Sequence, residues 1–281
     1  MSSERYHLSQ DAFVISDPEL EIEISLPFFL PRLPLSKQGP NIVHEKDGEG
    51  RSLAAFITQG GLRHGECQLF FEEGSLRSEM FYTEGLLHGP CLTYAPTGVL
   101  LSKTWYCEGK RLGKAHFYSL SGALVSLQRF KRGEWHGLQE YFYEEGQSKS
   151  VIPFHEGKLH GQVTLFWENG KPKREVHHHN GLKEGVDRIW NEQGILIDEG
   201  SYVAGQPIGV HRHYFKNGKL QEERLYHTPL RFDRKEWDIS GKLIFEGLFS
   251  PNLTYTEKRY LDSQGPQVRK GVWHGDRIRW E

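Results

Sequence analysis

Large apolar side chains return along this chain at a fixed interval of 24 residues, with polar residues and glycine between them. Counting from the glycines at 61, 85, 109, 133, 157, 181 and 205, position 9 holds an aromatic each time: Phe70, Tyr94, Tyr118, Phe142, Phe166, Trp190 and Tyr214. Position 15 holds Leu76, Leu100 and Leu124, then Ser148 and Pro172, then Leu196 and Leu220. Position 21 holds Tyr82, Tyr106, Phe130, Phe154, His178, Tyr202 and Tyr226. A period of 24 that repeats this often is the mark of a tandem array, in which each unit buries its apolar side chains against its neighbours.

A second glycine series, from Gly50 through Gly74, Gly98, Gly122, Gly146, Gly170 and Gly194 to Gly218, keeps the same spacing and continues at Gly241 and Gly265 with one deletion. Sequences such as Glu72-Glu73-Gly74 and Lys216-Asn217-Gly218 predict a three-residue hairpin loop, a type I turn closed by a left-handed glycine. Centring the loop on its middle residue sets the position 9 aromatic opposite the position 15 residue. Side chains alternate with period two along a strand, so the position 21 aromatic, six residues on, is expected on the same face. Position 17 (Ser78, Ser102, Ser126, Ser150) belongs to the mixed, polar remainder. The fold class that follows is all-β: an elongated single-layer array of tandem antiparallel β-hairpins forming a twisted open sheet, with an N-terminal cap.

Three stretches are expected. Residues 1–45 lie off the lattice and are rich in proline, with one alternating strand over Leu20–Leu26, and are expected to cap the first open edge. Residues 46–226 carry the regular repeats. Residues 227–281 carry degenerate ones and a closing strand, with the loop signature repeated at Gly271-Val272-Trp273-His274-Gly275.

Composition narrows the function. The 281 residues hold 35 Lys+Arg against 37 Asp+Glu, a net charge of −2, so there is no basic excess for a nucleic-acid binder to use. No apolar run approaches the roughly 20 residues of a transmembrane segment. No secretory leader is visible and the three cysteines make no disulfide framework, so a cytoplasmic location is expected. Cys67 and Cys91 share position 6 in adjacent units, about 9.5 Å apart by strand spacing, and are expected as free thiols together with Cys107.

Four features imitate chemistry. The histidines of Gly-x-x-His-Gly, namely His64, His88, His136, His160 and His274, suggest a metal row, but one-unit spacing keeps them apart, and a turn-bonding role is expected. His177-His178-His179 alternates across a strand and assembles no site. Gly109-Lys110-Arg111-Leu112-Gly113-Lys114-Ala115 mimics a phosphate loop but is one residue short and puts Ala where a magnesium-binding hydroxyl belongs. Basic clusters at Lys171–Arg174 and at Arg269-Lys270 with Arg277 and Arg279 suit acidic lipid headgroups. No nucleophile elbow or paired carboxylates stand outside the repeat, so no catalytic residue, cofactor or metal is expected.

The unit Gly-x-x-His-Gly, a Tyr or Phe at 9, Gly at 13, Leu at 15 and Tyr or Phe at 21 resembles the variant MORN repeat of YwqK-like bacterial proteins. The resemblance implies a sheet that binds rather than catalyses: a scaffold for protein–protein interaction, antitoxin-like where the partner is a toxin. Its alternative is a peripheral membrane role, with phosphoinositide binding. The residues expected to bind are the exposed aromatic ladder of Tyr94, Tyr118, Phe142, Phe166, Trp190 and Tyr214.

Overall fold

The computed structural model describes residues 5–8, 12–20, 22–27, 41–261, 265–274 and 277–281. The prolines at 31, 34 and 40 and Gly275 of the last loop signature lie outside the described residues. Two compact units divide the chain, Met1–Lys158 and Leu159–Glu281, so the boundary falls inside the regular repeats.

All regular structure among the described residues is strand. In the first unit the strands Asn41–Lys46, Ser52–Gln59, Leu62–Phe70, Leu76–Thr83, Leu86–Tyr94 and Leu100–Cys107 each pair antiparallel with the next, and the series runs on to Ser148–His155. In the second unit the same pattern runs from Gly161–Phe166 to Arg277–Trp280. In neither unit does a described register bring the last strand back to the first, so each sheet is open.

Two turns alternate. The loop at Glu72-Glu73-Gly74 has the expected geometry: Gly74 N–H donates to Phe71 O at 2.9 Å, Phe71 N–H donates to Ser75 O at 2.9 Å, and Gly74 has φ 88°. The other turn is a two-residue connection with positive φ at both residues, the primed type that suits strand twist. Its second residue is the lattice glycine, and its first is Glu84, Glu108, Arg132, Glu156, Asn180 or Ala204, with φ between 47° and 54°. A side chain there costs about 1–2 kcal/mol, and each turn is held by its neighbours. Gly85 N–H donates to Arg63 O and Gly109 N–H to Leu87 O, both at 2.8 Å, and in the second unit Gly205 N–H donates to Lys183 O at 2.9 Å.

The registers set position 9 opposite position 15 as expected: Phe70↔Leu76, Tyr94↔Leu100, Tyr118↔Leu124, Phe142↔Ser148, Phe166↔Pro172, Trp190↔Leu196 and Tyr214↔Leu220. They correct the face of position 21. A bulge follows each pair, as where Phe70↔Leu76 is succeeded by Leu69↔Ser78. One inserted residue flips every side chain after it, so positions 17, 19 and 21 lie on the face opposite positions 9 and 15. The hydrogen bond between the Thr93 and Ser102 hydroxyls, 2.6 Å long, lies on that opposite side.

We call the face of positions 3, 5, 9, 15, 20 and 22 the front, and that of 6, 17, 19 and 21 the back. The back carries the core cluster Ala54, Phe56, Cys67 and Met80, with Tyr82 and Cys91 packed against it. The position 17 serines, assigned to the polar remainder, are buried there at Ser78, Ser126 and Ser150.

The N-terminal residues form their own three-stranded antiparallel sheet, Arg5–Leu8, Ala12–Asp17 and Ile22–Pro27, where one strand was expected. Their packing lies away from the first edge. Ile15, Leu20 and Ile22 form a buried cluster with Trp105 and Leu112, and Phe81 and Cys107 pack against it. The segment sits on the front face three hairpins in, while the edge strand Asn41–Lys46 is largely exposed. The apolar surface at Trp105 and Leu112 explains this placement, since each fully buried aliphatic side chain contributes about 1.5–3 kcal/mol.

Candidate partner-binding face

The six expected residues of the aromatic ladder share the front face and are all half-buried. Tyr94 and Tyr214 lean toward position 18 of the preceding unit, Glu79 and Glu199. Burial and the nearby Glu79 push the Tyr94 phenol up, and burial and the hydrogen bond to Glu199 do the same at Tyr214, whose hydroxyl donates to Glu199 Oε1 at 3.0 Å. The Trp190 carbonyl accepts from the Trp167 indole at 3.1 Å. At Tyr94 and Tyr214 the ladder is thus partly engaged in stitching units together.

A front-face contact that the sequence reading missed is more specific. Lys114, at position 5, is buried with its ammonium 3.8 Å from the Asp17 carboxylate and 3.3 Å from that of Glu19. Arg129, its cross-strand partner at position 20, lies 3.5 Å from Glu19 and 2.7 Å from Glu140, and donates to the Leu138 carbonyl. These cations receive the acidic Asp17–Glu19 turn while Ile15, Leu20 and Ile22 fill the apolar ground beside it. The phosphate-loop mimic is therefore the docking ground of the N-terminal segment. One departure from the repeat was the available signal: Leu112 stands where neighbouring units have His88 and His136.

Of the histidines at position 3, three are shown acting on turns, while no such hydrogen bond joins His160 or His274 to a following turn among the described residues. His64, His88 and His136 accept through Nδ1 from the backbone N–H of Glu84, Glu108 and Glu156, at 3.4–3.5 Å, which are the left-handed residues of the following turns. Glu184 replaces His and does the same for Ala204 at 2.9 Å. Burial lowers the pKa of His88, with Glu108 opposing. His178 is lowered chiefly by burial and by Lys183 and Arg174. Among the described residues no group of three His, Cys, Asp or Glu is arranged to hold a metal ion. All three cysteines are free thiols, pushed up chiefly by burial.

The back face of the second unit is more polar. Burial alone pushes Asp187 up, but hydrogen bonds from Arg174 and Lys183, the shortest 2.6 Å, outweigh it and hold the carboxyl below its ordinary value. Beside this triad lies a groove of about 560 Å³ lined by Tyr202, His211, Arg224, Tyr226 and Arg234 among others. His211 fills the gap between Tyr202 and Tyr226, with ring centroids 5.1 and 4.7 Å away, and a Cβ at Gly200 would collide with it. Arg224 and Arg234 share Glu222, so the cations are paired with carboxylates of this chain.

Such geometry defines an all-β hairpin-repeat protein. Four of its units, residues 63–84, 135–156, 159–180 and 207–227, match the MORN repeat variant family, so the chain carries repeats of that kind. No curated protein matches the chain. Among solved structures, it is similar to part of a chain described as the crystal structure of TcdB2-TccC3-TEV, at 11% identity and a TM-score of 0.19 over 85% of this chain and 14% of that one. It is likewise similar to part of a Photorhabdus luminescens Tc holotoxin pore carrying a TccC3 mutation, at 13% identity and a TM-score of 0.15 over 85% of this chain and 16% of that one. The chain spans about a seventh of the length of these structural neighbours.

Proposed function

We propose that this chain is a non-enzymatic repeat scaffold that docks a partner protein on its sheet. The observation that carries the reading is the front face at Trp105, Leu112, Lys114 and Arg129, which already holds an extended segment by apolar burial plus ion pairing. A face that binds one strand-forming segment inside the chain has the chemistry to bind another from outside, and repeat arrays present such surfaces unit after unit. A toxin as partner is the special case that the YwqK-like resemblance implies.

Lipid headgroups gain less support. In the expected basic clusters Lys171 donates to the Gln193 carbonyl, Lys173 lies over the Trp167 ring and Arg174 pairs with Asp187. Arg269 pairs with Glu257 and stacks on Trp280. Affinity capture from native lysate, with soluble and membrane fractions kept apart and identified by mass spectrometry, tests the reading. One stoichiometric protein supports it, and co-expression with that protein then tells whether the chain suppresses a toxic activity. Bait that follows the membranes with no protein attached overturns it.

A further inference from the structure

Shifting the N-terminal docking ground by four repeats, 96 residues, lands on the second unit. Cys107, Leu112, Lys114 and Arg129 become Val203, Ile208, Val210 and Leu225, while the aromatics Trp105 and Phe81 become Ser201 and His177, so the aliphatic side chains alone carry the second ground. The registers agree: Lys114↔Arg129 in the first case, Val210↔Leu225 in the second. Leu112 and Ile208 are the two positions between His64 and Ile208 at which position 3 is aliphatic rather than His or Glu. The first ground is covered, with Leu112, Lys114 and Arg129 only 6–7% exposed. The second is open: Val203 is 48% exposed, Ile208 42%, Val210 37% and Leu225 39%. These four aliphatic side chains share the front face and lie on adjacent strands, the kind of contiguous apolar ground that marks an interaction site.

The chemistry of the two grounds differs in one respect, and that difference selects the occupant. Lys114 and Arg129 meet the carboxylates of Asp17 and Glu19, whereas Val210 and Leu225 offer no charge to a carboxylate and would bury it without a partner. The nearby front-face charges Arg188, Glu199, Arg212 and Glu223 are satisfied by one another, at 3.8, 3.4 and 2.9 Å along the row. A second copy's N-terminal segment therefore fits poorly here. We propose that Val203, Ile208, Val210 and Leu225 form a second docking ground, which takes an extended segment of a partner protein that is apolar where the N-terminal segment is acidic. The inference rests on the scaffold reading and names one place and one chemistry for it.

The test uses the full chain and two fluorescent synthetic peptides, titrated by anisotropy. One peptide is residues 12–27 as they stand, and the other carries Asp17→Leu and Glu19→Leu. The unmodified chain is expected to bind the apolar peptide at least tenfold more tightly than the acidic one. The double variant Val210→Lys with Leu225→Arg recreates the cation pair of the first ground and is expected to reverse that order. Both positions are partly exposed, so the variant's thermal unfolding should match the parent's. Equal binding of both peptides, binding of neither, or preference unaffected by the double variant overturns the proposal. Tight binding of the acidic peptide by the unmodified chain overturns it in favour of a second copy. A stoichiometric partner captured from lysate together with a failed peptide reversal removes this ground alone and leaves the scaffold reading standing.

Discussion

The two front-face grounds are built on one repeat, yet one is buried and the other is half-exposed. At Leu112 the chain replaced the polar position 3 residue of its unit by an aliphatic one and gained an internal occupant; at Ile208 it made the same replacement without supplying one. A repeat lattice fixes where a surface lies, and single substitutions on it decide what the surface holds.

The largest expected contrast comes from truncating one large apolar side chain in each ground. Trp105→Ala should cost about 3–5 kcal/mol, as for other buried aromatics, whereas Leu225→Ala should cost about 0.5 kcal/mol, as at most exposed positions. Urea unfolding of the two variants measures this directly, and equal losses would erase the distinction between covered and open ground. Next in size, Asp17→Ala removes a fully buried carboxylate from the Lys114 ammonium and should cost about 3 kcal/mol. It should also expose the chain near residues 12–27 to limited proteolysis, and a protected segment would show that the apolar cluster alone holds it.

A smaller effect sharpens the contrast on the back faces, apolar at Cys67 and Met80 but ionic at Asp187. Asp187→Asn should cost about 2 kcal/mol near neutral pH, the penalty of leaving charged partners unmatched. The Asp187 carboxyl is lowered in the folded chain, so its contribution is present above the ordinary value of 3.8 and disappears as pH falls through the folded value. The parent and the Asn variant should therefore converge in stability in acid; a constant gap from pH 7 to pH 2 would contradict the assignment.

The smallest effect concerns the turns. His88→Ala should cost about 1 kcal/mol, the value of one hydrogen bond, and His88→Glu should restore it, as Glu184 serves Ala204. The His88 imidazole is lowered by burial, so its share of stability is present above the ordinary value of 6.5 and falls away as pH drops through the folded value. Chemical denaturation at pH 7.5 and pH 5 compares the three chains, and a pH response that survives in the Glu variant would assign the titration elsewhere.

The repeat, the three-residue loop and the pairing of Tyr94 with Leu100 were legible because period and turn chemistry are local. The side of the sheet taken by Tyr82 and Tyr106 was not, because one bulge residue reverses the alternation and period two has no means of showing an insertion. The N-terminal docking ground was illegible for a different reason. Lys114 and Asp17 are 97 residues apart, and only the departure of Leu112 from its column of polar residues marked the place.

The reach of the polar position 3 side chains His64, His88, His136 and Glu184 to the turn 20 residues later gives the chain a direction. The first such turn, Gly60-Gly61, has Pro40 at the corresponding earlier position and uses glycine at both places, where positive φ carries no side-chain strain. Dependence then runs forward only, from His64 to Glu84, from His88 to Glu108 and from His136 to Glu156. Shortening from the C-terminal side leaves the retained turns at Glu84, Glu108, Glu156 and Ala204 with their acceptors. Shortening from the N-terminal side past His64, His88, His136 or Glu184 takes the acceptor from the turn it served. During synthesis His64, His88 and His136 therefore each leave the ribosome 20 residues ahead of the turn they hold.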